Sequence, residues 1–343
     1  MSTPLVTLFL IFFAISLVVS GNALCIDYYA KTCPDAELAV TEVVKKAIAN
    51  DNTVPAALLR LHFHDCFIRV LSPFSLSPSV PLTGSAEGCS FLLLQGCDAS
   101  VLLKSRGSDK AEKDGPPNES LHAFYVIDHA KKAVEEMCPG VVSCADILAL
   151  AARDSVALSG GPTWEVPKGR KDGRVSRANE TNQLPAPTFN FTQLKQSFSQ
   201  RGLSTKDLVV LSGGHTLGFA HCSSFQNRIH DFDTESDVDP TLDPSFAARL
   251  QEICPAQNRV KSAGSAMDST STAFDNTYYK MLLQGQGLFS SDEALLTHPK
   301  TAGFVSQFAS SQEEFFQAFV KSIIRMGSIE GGEEVRKNCR AIN

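Results

Sequence analysis

Arg60-Leu-His-Phe-His64-Asp65-Cys66-Phe67 is the stretch on which the reading of this chain turns. On a helix Arg60 and His64 stand four residues apart and project from one face, so a permanent cation and a titratable base share one small volume. Asp65 points elsewhere. Heterolytic cleavage of an O–O bond needs a base to take a proton from the attacking molecule and a fixed positive charge for the departing oxygen, and this pair offers both. Phe63 is placed to keep that volume dry. In the other half of the chain, Ser212-Gly-Gly-His215-Thr216 supplies a second histidine in a glycine-rich setting.

The 343 residues, 43% hydrophobic and 20% charged, suffice for one large globular unit or two fused lobes, and exclude a disordered chain. A net charge of -6 leaves no basic footprint for nucleic acid or anionic lipid. Leu5 to Val19 form an apolar run followed by small residues ending at Ala23, too short for a membrane span of about 20 residues. Residues 1–23 therefore read as a signal peptide. The carboxyl end, Cys339-Arg-Ala-Ile-Asn343, has neither a retention signal nor an apolar anchor, so secretion to the extracellular space is predicted. Ten cysteines in an exported chain imply disulfides, and Cys33, Cys138 and Cys254 each precede proline; spacing alone does not give their connectivity. Sequons stand at Asn118, Asn179 and Asn190.

Apolar periodicity predicts helices over Asp35 to Ala49, Pro55 to Phe67, Ala123 to Cys138, Ser143 to Leu158, Phe191 to Arg201, Ser204 to Leu211, Thr216 to Arg228, Pro244 to Cys254, Asp275 to Gln284 and Glu313 to Gly327. Ser143 with Asp146 and Ser204 with Asp207 look like amino-terminal capping pairs. No alternation marks a large sheet, so the class is mainly α. Val70 to Gln95 is the exception, crowded with serine and proline and without period.

Taken in order, Arg60 to Phe67, Gly96-Cys-Asp-Ala-Ser100, Glu112-Lys-Asp, Val142-Ser-Cys-Ala-Asp146, Gly169-Arg170, Leu184-Pro-Ala-Pro187, Leu211-Ser-Gly-Gly-His-Thr216, Phe274-Asp-Asn-Thr-Tyr-Tyr279 and Ser290-Ser-Asp292 resemble the secreted plant (class III) haem peroxidases. The likeness runs from about Tyr28 to the end, apart from 70–95. It implies a mainly α fold with two helical lobes, distal and proximal, around one haem b, two calcium ions and four disulfides. It also implies a secreted monomer that reduces hydrogen peroxide and oxidises small phenolic donors by successive one-electron steps, as in cell-wall phenolic metabolism.

By that resemblance His215 is the proximal haem ligand, a proximal histidine being the ligand known for peroxidases generally, and Asp292 accepts its other ring N–H, making the imidazole more anionic. Arg60 and His64 match the distal catalytic pair. Asn118 matches the distal asparagine that fixes the His64 tautomer, which makes glycosylation there improbable and leaves Asn179 and Asn190 as surface sites. Phe63 lines the haem pocket. The distal calcium would take Asp65, the carbonyls of Ile68 and Gly96, Asp98 and Ser100, with Glu112 behind a water. The proximal calcium would take Thr216, Asp268, a hydroxyl from Thr270 or Ser271, and Asp275; the spacing from Asp268 to Asp275 is one residue shorter than is common, which leaves the middle ligand open. Family pairing joins Cys33 with Cys138, Cys66 with Cys97, Cys144 with Cys339 and Cys222 with Cys254, leaving Cys25 and Cys89. Asp146 and Arg170 match a buried ion pair, and Pro185 a residue at the exposed haem edge.

The resemblance also isolates an anomaly. Only four residues separate the cysteines of the family that match Cys66 and Cys97, whereas thirty do here. The surplus, 70–95, splits the distal calcium loop. Arg69-Val70 can be encoded across a GT donor and Phe-Leu-Leu-Leu-Gln95 by a pyrimidine tract ending in CAG, the marks of a retained intron. The alternative to an active enzyme is a secreted peroxidase-like protein impaired by this segment through weak distal calcium binding.

Overall fold

A computed structural model describes residues 24–68, 96–257, 260–329 and 331–343, together with the backbone of Cys89 and Ser90. The expected signal peptide and the rest of 70–95 lie outside the described residues. The chain begins with strand β1 (Leu24–Cys25), followed by helices α1 (Ala36–Asn50) and α2 (Val54–Phe67), strand β2 (Cys89–Ser90), and helices α3 (Phe124–Met137) and α4 (Cys144–Leu158). There follow α5 (Phe191–Ser199), α6 (Thr205–Ser212), strand β3 (Phe219–His221), α7 (Gln226–Ile229) and α8 (Pro244–Ile253). Strand β4 (Gly264–Ala266) then precedes α9 (Thr277–Leu282), α10 (Ser290–Glu293), α11 (Pro299–Ser310) and α12 (Gln312–Gly327).

The helix that bears the opening motif starts with Pro55 in its first turn, where the missing N–H costs nothing. It is buried almost all round, with Leu58, Leu61 and Phe67 fully covered. It packs on α4, itself buried from Cys144 to Ala152 and capped by the Ser143 hydroxyl, which accepts from the Asp146 N–H. Capping pairs likewise start α5 (Asn190 with Gln193) and α6 (Ser204 with Asp207). One continuous apolar core runs from α1 through α4 into α6, α9, α11 and α12, so the two expected lobes share it. Phe274 belongs there, stacked on Phe315 and edge-on to Phe319. A smaller core of Phe225, Ile229, Phe246, Leu250 and Met267 lies behind the His215 turn.

Two sequence expectations are corrected. Thr216 to Arg228 is not one helix: Gly218 has φ +109°, and β3 pairs antiparallel with β4, leaving a 3-10 turn at Cys222–Ser224 and the short α7. The backbone of this segment finds its partners in β4 rather than in itself, which the apolar period could not reveal. Conversely, α11 was not predicted, because its polar face and the Gly303 within it blur the pattern, although Val305, Phe308 and Ala309 are buried.

The eight cysteines of the family pattern join as Cys33–Cys138, Cys66–Cys97, Cys144–Cys339 and Cys222–Cys254. Cys25 is also disulfide-bonded, and its backbone partner across the β1–β2 pair is Cys89. Asp146 and Arg170 form a fully buried ion pair at 2.9 Å, with Tyr29 donating to the same carboxylate at 2.6 Å.

Candidate active site

The last turns of α2 place Arg60, Phe63, His64 and Asp65. His64 is buried, and its Nδ1 lies 2.6 Å from the side-chain oxygen of Asn118. The Asn118 amide nitrogen donates to the Glu112 carbonyl at 2.9 Å, so the oxygen is the atom turned to the imidazole. An amide oxygen only accepts; Nδ1 therefore carries the proton and Nε2 keeps its lone pair. Burial, then the charge of Arg60, lowers the His64 pKa to about 3 against the bond from Asn118, which raises it. The imidazole is therefore neutral at neutral pH. Arg60 is fixed by Nη1 donating to Ser120 Oγ and Nη2 to the Pro117 carbonyl, each at 2.9 Å. Its side chain is exposed to solvent, and desolvation by the surrounding protein lowers its pKa to about 10, which still leaves it a cation at neutral pH. Phe63 stacks on Phe67 at 4.2 Å and stands edge-on to His64 at 5.9 Å.

His215 sits in a tight turn, Gly213–Thr216, directly after α6. Its Nδ1 is 2.8 Å from Asp292 Oδ1, and the carboxylate is buried at the start of α10, where Oδ2 accepts from the Phe289 N–H. Burial alone would raise the Asp292 pKa, but His215 beside it and the hydrogen bonds it accepts hold the carboxyl below its usual range. The His215 ring is 39% exposed, stands edge-on to Tyr278 and Phe289, and its Nε2 has no hydrogen-bond partner among the described residues. The two histidine segments meet: a Cβ on Gly214 would lie 3.5 Å from the Leu59 side chain, and one on Gly218 3.0 Å from Ala56. An anchored imidazole with an uncommitted nitrogen, beside α2, fits an axial haem ligand.

The expected calcium residues converge in two groups. On the distal side Asp65 Oδ2 accepts from the Ala99 N–H, and Ser100 Oγ lies 3.1 Å from Glu112 Oε2. The backbone there is held at Cys97 (φ 44°) and Ala99 (φ 57°), a left-handed conformation that L residues adopt at a cost. Asp65 Oδ1 and Glu112 Oε1 are buried without any hydrogen-bond partner among the described residues. Desolvation first, then Asp98, pushes the Asp65 carboxyl far above the usual range, and Glu112 is raised in the same way. Orphaned carboxylate oxygens that resist ionisation suit a hard cation. On the proximal side Thr216 Oγ1 donates to Asp268 Oδ2 at 2.7 Å, and Thr270 Oγ1 lies 3.2 Å from Asp275 Oδ1. For the open middle position, Thr270 has its hydroxyl between the two carboxylates, while Ser271 is engaged through its carbonyl with the Gly218 N–H. Among the described residues no three histidine, cysteine or carboxylate side chains form a complete cage, so a cation would depend on hydroxyls and carbonyls.

Pro185 is half-buried, between Gln183, whose carbonyl accepts from Arg201, and Pro187, whose carbonyl accepts from the Ser291 N–H. Asn118 is buried, whereas Asn179 and Asn190 are exposed. Four further residues were not singled out from the sequence. Ser120 holds Arg60, Arg201 donates to the Phe67 carbonyl at the end of α2, Tyr278 donates to Asp292, and the fully buried Arg336 donates to the Ala99 carbonyl. Of these only Tyr278 lay within a quoted motif, and its target is 14 residues away.

Residues 40–311 match the family model described as Peroxidase. The chain is 65% identical over 322 residues to Peroxidase 64 of Arabidopsis thaliana, covering 94% of this chain and 93% of that protein. It is 49% identical to Peroxidase 66 of the same plant, covering 98% of each chain, and 41% identical to Peroxidase 1 of Oryza sativa subsp. japonica over the full length of both.

Proposed function

Because the chain belongs to the class III plant peroxidase family and is a peroxidase, we propose how its side chains share the reduction of hydrogen peroxide and the oxidation of a donor. His64 Nε2 accepts a proton from the incoming peroxide oxygen and returns it to the leaving oxygen, which departs as water. Arg60, held by Ser120 and Pro117, sets a fixed cation against the charge that develops on that oxygen. Asn118 keeps Nδ1 protonated, so that only Nε2 is basic. Phe63 excludes bulk water. When bound, haem b would supply the redox chemistry, two electrons for the O–O bond that are regained one at a time from two donor molecules. His215 would hold its iron, with Asp292 accepting the other ring proton.

Small phenolics reaching an exposed edge near Pro185 are the donors this reading favours. Two calcium ions brace the walls, one at Asp65, Ile68, Gly96, Asp98 and Ser100 with Glu112 behind, one at Thr216, Asp268, Thr270 and Asp275, with Ser271 the lesser candidate. The protein acts outside the cell as a monomer, in keeping with its disulfides, and carries glycans at Asn179 and Asn190; no described helix is long and apolar enough to cross a membrane. The alternative of an impaired protein finds no support: Asp65, Asp98, Ser100 and Glu112 converge although 70–95 is present.

The observation that carries the reading is a buried, neutral His64 whose free nitrogen is set by Asn118 and flanked by Arg60. His64→Leu should keep haem and lose about 10²- to 10⁴-fold in the rate of reaction with peroxide, the range expected for a general acid–base group. His215→Ala should lose haem. A His64→Leu protein within twofold of wild type would reject the assignment.

A further inference from the structure

We infer that Tyr278 is a positioning residue that tunes the electron donation of His215 by competing with it for Asp292. The inference rests on the reading of His215 as the haem ligand. Its basis is a shared acceptor. Asp292 Oδ1 receives two hydrogen bonds of equal length, from His215 Nδ1 and from the Tyr278 hydroxyl, both 2.8 Å. Tyr278 is 2% exposed and Asp292 1%, so both partners of the phenol–carboxylate bond are shielded from water. A carboxylate oxygen that already accepts from a phenol is a weaker acceptor for a second donor, because part of its charge is spent on the first. The imidazole N–H is then less polarised, and His215 less anionic, than Asp292 alone would make it.

The alternative role, a brace that merely aims the carboxylate, is met by other contacts. Oδ2 of Asp292 accepts from the Phe289 N–H at 2.9 Å, and the residue sits in the first turn of α10. With one oxygen held by the backbone and the other by His215, the carboxylate keeps its plane without the phenol. The Tyr278 ring also contributes packing that a phenylalanine would preserve, edge-on to His215 at 5.7 Å and to Tyr279 at 5.1 Å.

The test is Tyr278→Phe in the haem-loaded enzyme, read by the ferric/ferrous reduction potential and by the iron–imidazole stretching frequency of the ferrous form. Removing the phenol strengthens the His215–Asp292 bond, so the potential should shift negative and the frequency should rise, opposite in sign to Asp292→Asn. An unchanged potential, or a positive shift, overturns the inference and leaves Tyr278 as packing or as a brace. Absence of an iron–imidazole band in wild type, or haem retained normally by His215→Ala, would instead defeat the ligand assignment itself. Thermal unfolding of Tyr278→Phe separates a structural loss, which lowers the melting temperature without moving the band.

Discussion

In the proposed mechanism Asn118 selects which nitrogen of His64 is basic, and it does so through its own second bond. Its amide nitrogen is committed to the Glu112 carbonyl, so its oxygen has to face the imidazole. Asn118→Leu removes a neutral hydrogen bond of about 1 kcal/mol and lets the wrong tautomer compete. The rate of reaction with peroxide, followed by rapid mixing, should fall several-fold to tenfold with haem binding intact; an unchanged rate would mean that burial alone sets the tautomer. The pH dependence follows from the same pocket. With a His64 pKa near 3, the peroxide reaction should stay level from neutral pH down to about 4 and fall only below that. Arg60 is the second cause of that low value, after burial, so Arg60→Leu should move the acid limb to higher pH as well as lowering the plateau. A limb that stays in place would show that the two side chains do not sense each other.

The helices legible in the sequence were those with both an apolar face and a cap. Residues such as Ser143 and Ser204 announce a start because their hydroxyls satisfy N–H groups that a helix leaves open, and both do so here. The distal pair was legible for a related reason, since helical spacing alone puts Arg60 and His64 on one face. What the sequence did not disclose is pairing across long separations. The segment after Thr216 turns into β3 because β4, more than forty residues on, offers a ladder, and the end of α2 is closed by Arg201 from beyond α5. That arginine donates Nε and Nη2 to the Phe67 carbonyl and lies over the Phe67 ring at 4.5 Å. Removing it orphans a buried carbonyl one turn from His64. Arg201→Met should cost about 1 to 3 kcal/mol in unfolding free energy, the usual penalty for an unmet buried group. Arg201→Lys should recover part of it; a neutral effect of both would show that Phe67 finds another donor.

The surplus segment leaves the framework between its ends closed. Cys66 and Cys97 are bridged, and the Cys97 N–H donates to the Asp65 carbonyl at 3.3 Å, so the residues on either side of the segment are held together. Long loops are tolerated on the same ground, because closure entropy grows only with the logarithm of length. We propose that 70–95 is a retained intron, which sequencing of transcripts would settle; a dominant message containing it would reject the idea. Near the Cys66–Cys97 bridge lie buried carboxyls whose protonation bears on stability. Without calcium, Asp65 and Glu112 have pKa values raised by burial and by their neighbours, so the folded state holds protons that the unfolded chain releases above about pH 4. Each excess proton tilts stability by about 1.4 kcal/mol per pH unit, and the tilt is downward as pH rises toward the raised values. The buried His62 and His64, both near pKa 3, tilt it the other way: the unfolded chain binds their protons below about 6.5 while the folded one does not, so stability is lost as pH falls through that window. The calcium-free protein should therefore be most stable in mildly acid solution. Calcium replaces the carboxyl protons with a cation, so its stabilisation should grow with pH and its uptake at pH 7 should release protons. Melting temperatures from pH 4 to 9, with calcium and with a chelator, should diverge toward the alkaline end, and a gap that is constant across the range would show that these carboxylates do not hold the ion.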